Sequence, residues 1–210
     1  MELRAVVFDY GMVLTGPPDP AARAEILRIT GLSEQQFEDL YWRDRHAYDE
    51  GKFTGFGFWQ KLARDAGLEL SSAAIEELNE WDARMWSIIN TAMVTWQFAL
   101  KQRGLLTAVL SNMGDKVHAH MEREFSWLAR FDVRVWSYQL GVAKPDPAIY
   151  RYVLERLGTQ PHETLFLDDK LVNIQAAAAM GMKGLVFSSV EQLRRDLLAQ
   201  GFDGQLPLPG

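Results

Sequence analysis

The stretch VVFDYGMVLTG, residues 6–16, decides the fold. A short valine-rich apolar run ends in Asp9, and a glycine-containing turn follows. Unbroken apolar character over Ala5–Phe8 predicts a strand buried on both faces, as in a parallel sheet. Similar runs recur at residues 105–110 (LLTAVL), 131–136 (FDVRVW), 164–167 (TLFL) and 184–187 (GLVF). Helical patterns separate the later runs. In DPAIYRYVLERLG, Asp146 is placed as N-cap, Pro147 as first helical residue and Gly158 as the stop. KLVNIQAAAAMG reads as a second helix ending near Gly181. Strands alternating with helices predict a doubly wound, mostly parallel α/β sheet of Rossmann-like type.

The alternation lapses where strand-like runs are scarce and four helical patterns follow one another. Residues 1–16 and 90–210 are therefore expected to form the α/β core, and 17–89 an inserted helical cap. Ligands of open α/β sheets bind beyond the carboxyl ends of the strands. An insertion rooted just after Asp9 would cover such a site. The tail GQLPLPG reads as a loose end.

The chain has 210 residues, 48% of them hydrophobic, enough for one full domain and a lesser lobe. Its net charge of −6, without a basic run, argues against nucleic acid as a partner. The absence of cysteine excludes disulfides, thiolate metal sites and cysteine nucleophiles. The first apolar run is too short for a signal core or a membrane span, so a cytoplasmic protein without membrane contacts is the default expectation.

Several polar residues follow apolar runs at what should be one edge of the sheet. Asp9 can attack an electrophile or bind a cation; alone, it equally suits a turn. Ser111 and Asn112 can hold an anion through hydroxyl and backbone N–H, or cap the next helix. Lys144, in GVAKPDP, can neutralise a phosphoryl group, although most lysines are solvated surface residues. The adjacent pair Asp168 and Asp169 is costly without a cation, and Mg2+ prefers such oxygen ligands. Together these are the parts of phosphoryl transfer, which depends on positioning and charge neutralisation.

The order FDYGMVL, VLSNM, GVAKPDPAIY, FLDDKLVNIQAAAAMGM resembles the haloacid dehalogenase superfamily of hydrolases. The nearest branch contains sugar-phosphate phosphatases and the phosphatase half of epoxide hydrolases. The resemblance implies Asp9 as nucleophile, forming an aspartyl phosphate. Ser111, Asn112, Lys144 and Tyr10 would bind phosphate. Asp9, the Gly11 carbonyl and Asp169 would hold Mg2+, assisted by Asp168, with Asn173 behind them. The expected substrate is a small phosphorylated metabolite, such as a sugar phosphate or sugar-1-phosphate. Alternatives are a metal-free dehalogenase, which would typically lack the paired acids, and a non-catalytic binding protein on the same fold.

One position departs from the family pattern. Most such phosphatases carry an Asp where this chain has Gly11, and that Asp protonates the leaving group and then activates water. Either the substrate has a good leaving group, or the cap supplies an acid–base from His46, Tyr48, Asp49 or Glu50, with Tyr10 a closer but less suited candidate, or the site binds without turnover. Other features read as ordinary structure. His118 and His120 are expected on a solvated helix, His162 on the surface and GFGF (residues 55–58) in a linker between cap helices. Arg43 and Arg45 are candidate substrate contacts, with a solvated helix face the favoured expectation. The tryptophans Trp42, Trp59, Trp81, Trp86 and Trp96 pack small helices or form a homodimer surface, with Trp42 a candidate pocket wall.

Overall fold

The computed structural model describes residues 2–210. Five parallel strands form one sheet: β1 (Ala5–Phe8), β2 (Leu106–Ser111), β3 (Val133–Trp136), β4 (Thr164–Asp168) and β5 (Lys183–Val186), in the order β3-β2-β1-β4-β5. The expected doubly wound α/β fold is observed. Side chains alternate across a strand, and β1 shows the consequence. Val6 and Phe8 enter one core layer with Met93, Trp96, Val117 and Leu193, whereas Ala5 and Val7 enter the other with Ile149, Val153, Phe166 and Ala177. The first layer is covered by α5 (Thr91–Gln102), α6 (Asp115–Glu124) and α10 (Val190–Ala199). The second is covered by α8 (Pro147–Leu157) and α9 (Leu171–Ala179). A short α7 (Ser137–Leu140) follows β3.

Between β1 and α5 lie α1 (Pro20–Thr30), α2 (Glu34–Asp49), α3 (Gly55–Asp65) and α4 (Ser72–Met85). Their apolar faces meet in a separate core of Ile26, Phe37, Tyr41, Phe58, Trp59 and Leu78. The chain segments entering and leaving this helical unit are paired: Gly16 N–H donates to Ile88 O (2.7 Å) and Asn90 N–H to Leu14 O (3.0 Å). Among the described residues, no helix is long and apolar enough to cross a membrane.

Local chemistry explains most boundaries. Asp146 caps α8 with Pro147 in its first turn, and Gly158 ends it at φ +66°. Ser33 and Gln36 form a reciprocal capping box on α2. Three expectations are corrected. GFGF is the first turn of α3 rather than a linker, because the Thr54 hydroxyl caps the Gly57 N–H. His118 and His120 are not solvated: His118 packs on Trp136 and meets Tyr138 Oη (2.9 Å), while His120 is buried beside Arg123. The tail is tied down, with Leu206 buried, Pro207 O accepting from Trp96 Nε1 and Gln205 Oε1 accepting from Leu3 N–H.

Candidate active site

Parallel pairing puts the ends of β1, β2 and β4 at one edge of the sheet, and the chain order reverses direction around β1. Asp9 follows β1 there. Its backbone N–H donates to Leu167 O (2.8 Å), and its Oδ1 accepts from Tyr10 N–H (2.7 Å). The turn that follows runs over Tyr10–Leu14, with Met12 in the left-handed region at φ +62°. Gly11 is not in that region: φ is −62°, and a Cβ built on it would meet nothing within 4 Å. Neither backbone nor space demands glycine at this position.

Tyr10, an expected phosphate contact, is among the residues that line the cavity. Its ring is buried in the core under the turn, and its hydroxyl is sealed from solvent without a partner among the described residues. Burial raises its pKa.

Lys144 is the centre of the cluster. Its Nζ lies 2.9 Å from Asp9 Oδ1 and 2.6 Å from Asp168 Oδ2, above the Phe166 ring. The peptide of Lys144 is held by the side chain of Asn112, which donates from Nδ2 to Lys144 O (2.9 Å) and accepts at Oδ1 from Lys144 N–H (2.8 Å). Asn112 thus spends its side chain on placing the lysine. Asp168 is wholly buried. Besides Lys144, it accepts from Lys170 N–H (2.8 Å) and from Asn173 Nδ2 at both oxygens (3.0 Å each). Ser111 ends β2 on the cavity wall, and its hydroxyl makes no hydrogen bond with any described residue.

Asp9, Asp168 and Asp169 each bring a carboxylate oxygen within 4.8 Å of the other two. Three carboxylates thus gather around one ammonium. Burial, reinforced by Asp168 and Asp169, outweighs Lys144 and pushes Asp9 up to about 7. Burial and Asp168 likewise raise Asp169. Burial alone would lower Lys144, but Asp9 and Asp168 hold it above the ordinary lysine value. Crowded carboxylate oxygens of this kind fit a hard divalent cation such as Mg2+.

These groups floor a cavity of about 460 Å3. Trp42, Arg45, His46, Asp49 and Trp86 of the helical unit wall it from above. Trp42, a suggested pocket residue, stands 47% exposed at the rim, edge-on to Trp86. Arg45 overturns the expectation of a solvated position. It is buried, with Nε 2.9 Å from Asp49 Oδ1, Nη1 3.2 Å from Asp82 Oδ1, and its guanidinium over the Tyr41 ring. Arg43 is exposed and pairs with Asp65. The Arg45–Asp49 spacing of four was visible in the sequence, but Asp82 arrives from another helix, so the burial was not.

An open parallel sheet with a charged cavity at its carboxyl edge and a helical unit above it defines an α/β enzyme. The chain belongs to the haloacid dehalogenase-like hydrolases, whose sequence model matches residues 4–181. It is 31% identical to phosphatase MT3486 of Mycobacterium tuberculosis, over 99% of this chain and all of that protein. It is 36% identical to the sesquiterpene phosphatase astK of Aspergillus oryzae, covering 87% of this chain and 88% of that one. Mouse bifunctional epoxide hydrolase 2 is 32% identical along this whole chain, which spans 41% of that protein's length. A haloacid dehalogenase family enzyme from Bacteroides thetaiotaomicron, solved with magnesium and inorganic phosphate, shares the fold at a TM-score of 0.74 and 21% identity, over 89% of this chain and 94% of that one.

Proposed function

We propose that this chain is a Mg2+-dependent phosphatase that hydrolyses a small phosphomonoester through an aspartyl phosphate on Asp9. One observation carries the proposal: Lys144 bridges Asp9 and Asp168 on the floor of a covered cavity, beside the free hydroxyl of Ser111. Asp9 Oδ1 is held by Tyr10 N–H and Lys144, which orients the carboxylate for attack. Ser111 and Lys144 bind the phosphoryl oxygens. Asn112 and Asp168 keep Lys144 in place, and Asn173 keeps Asp168 in place. Asp9, Asp169 and the Gly11 carbonyl would hold Mg2+, with Asp168 assisting, and the cation would neutralise charge developing on the transferred group.

Residues 17–89 act as the cap that selects the substrate, over a core of 1–16 and 90–210. The cap wall offers indole surface from Trp42 and Trp86 beside polar Arg45 and Asp49, a mixture that suits a sugar phosphate. The named phosphatases among the relatives support phosphate chemistry. The paired acids disfavour a metal-free dehalogenase.

The test is a phosphometabolite panel assayed with and without Mg2+, with Asp9→Asn as the inactive control. Inorganic phosphate release that needs both Mg2+ and Asp9 is expected. Chloride release from 2-chloropropionate without metal, and no phosphate from the panel, would reverse the assignment.

A further inference from the structure

The turn after Asp9 carries no carboxyl group to protonate a leaving group, Gly11 having no side chain, and its one hydroxyl, on Tyr10, is buried away from solvent. Four groups at the end of α2 were candidates to replace it, and the structure separates them. The Tyr48 hydroxyl accepts from Lys116 N–H (3.3 Å), and its ring abuts Gly114, so it is buried in the seam between cap and core. Glu50 is bound by Lys52 and His46. His46 reaches the cavity rim, but its side chain is 61% exposed and paired with Glu50. Asp49 alone combines burial with a place on the cavity wall.

Its position is fixed from both sides. Arg45 Nε holds Oδ1 at 2.9 Å, and Arg45 is itself anchored by Asp82. Oδ2 has no hydrogen-bond partner among the described residues. On the core side, the Asp49 carbonyl accepts from Ser137 Oγ, which in turn accepts from Met113 N–H (3.0 Å), two residues beyond Ser111. The last turn of α2 is therefore tied to the loop that carries the phosphate-binding hydroxyl. Lys170, adjacent to Asp169 and also on the cavity wall, is close enough for its charge to act on the Asp49 carboxyl.

Resting on the phosphomonoester reading, we infer that Asp49 is the general acid–base of this enzyme, working from the cap in place of the side chain that Gly11 lacks. In the first step an Asp9 oxygen bonds to phosphorus. The bond from phosphorus to the leaving oxygen breaks, its electron pair stays on that oxygen, and the proton of neutral Asp49 completes the alcohol. In the second step the Asp49 carboxylate takes a proton from water as the water oxygen bonds to phosphorus. The bond from phosphorus to Asp9 breaks, which regenerates the Asp9 carboxylate and releases inorganic phosphate. Burial raises Asp49 above its ordinary value despite Arg45, which suits a group that must begin protonated.

The assignment is tested by leaving-group dependence, which a merely structural role would not move. Asp49→Asn keeps the shape and an oxygen for Arg45. With saturating Mg2+, its kcat/KM for benzyl phosphate should fall about 10²–10⁴-fold, the usual worth of acid–base catalysis. For p-nitrophenyl phosphate, whose leaving group needs no proton, the fall should be under about tenfold. Phosphorylated Asp9 should accumulate during turnover and be visible by mass spectrometry. Equal losses on both substrates, or no loss on either, overturn the assignment and leave the phosphatase reading standing. If the wild-type enzyme turns over neither, both fall. Should Asp49→Asn fail to fold, the wild-type enzyme decides: with a resident acid, kcat/KM should fall by less than about tenfold from p-nitrophenyl to benzyl phosphate, whereas a fall of about 10²–10⁴-fold would mean the site has no acid of its own and would overturn the assignment.

Discussion

At the scale of single residues, Lys144 has the largest structural consequence. It is almost wholly buried and its ammonium is shared by Asp9 and Asp168. Removing one partner of a buried ion pair leaves the other charge uncompensated, which typically costs about 3–5 kcal/mol. Lys144→Met should lower the free energy of urea unfolding by about that much without metal, besides abolishing activity. Added Mg2+ should recover part of the loss by neutralising the two acids, whereas Na+ at equal ionic strength should not. Asp9, Asp168 and Asp169 were legible in the sequence because each follows or ends an apolar run, and a parallel sheet brings such ends together; Lys144, in the loop between α7 and α8, was legible from its GVAKPDP setting. The function of Asn112 was legible only as a backbone role. That its side chain clasps the Lys144 peptide depends on loops 32 residues apart meeting, which no local pattern encodes.

At the scale of elements, α6 shows where local patterning misleads. His118 and His120 look like an exposed H-x-H on a charged helix, yet Trp136 and Tyr138 arrive from the next strand and helix to cover His118. Burial lowers the pKa of both histidines. At His118, Glu122 opposes that shift and Arg134 adds to it; at His120, Arg123 adds to it while Glu80 and Glu124 oppose it. A depressed histidine contributes stability that is fully present above its unfolded value near 6.5 and is lost as pH falls through the lower folded value. The melting temperature should therefore drop below about pH 6.5, and His118→Gln should drop less over the same interval. Scanning calorimetry at about pH 7.5 and pH 5.5 checks this; parallel drops for the two proteins would assign the acid loss to other groups. Where capping chemistry is local, as at Asp146 and Gly158, the sequence read the element well. It failed at GFGF, because the cap is Thr54, one residue before the glycines that suggested a linker.

At the scale of the whole molecule, the helical unit and the α/β core pack tightly where α3 and α4 meet α6. Gly55 N–H donates to Asp115 Oδ1 (2.8 Å), and Lys116 pairs with Glu76 (2.9 Å), so α3 and α4 are both fastened to the first turn of α6. At the centre Tyr48 lies against Gly114, where a Cβ would come within 2.0 Å of the ring. Packing against Tyr48, not backbone conformation, demands glycine at Gly114, whose φ of −86° any residue could adopt. Tyr48 precedes Asp49 on the last turn of α2, so displacing the ring also displaces the Asp49 carboxyl on the cavity wall. Overpacking of this kind typically costs about 1–3 kcal/mol. Gly114→Ala should therefore lower stability by about that amount, and should lower kcat as well, although Asp9, Lys144 and Asp169 are untouched. Gly57→Ala supplies the contrast. Its Cβ would meet only Thr54 Oγ1 at 3.5 Å and Phe53 Cβ at 4.0 Å, both ordinary contacts, and alanine in a helix gains about 0.5–1 kcal/mol over glycine. Urea unfolding and phosphate release measured on the pair separate the seam from helix propensity. If Gly114→Ala lost stability but kept full kcat, the cap could shift without disturbing catalysis, and the seam would serve stability alone.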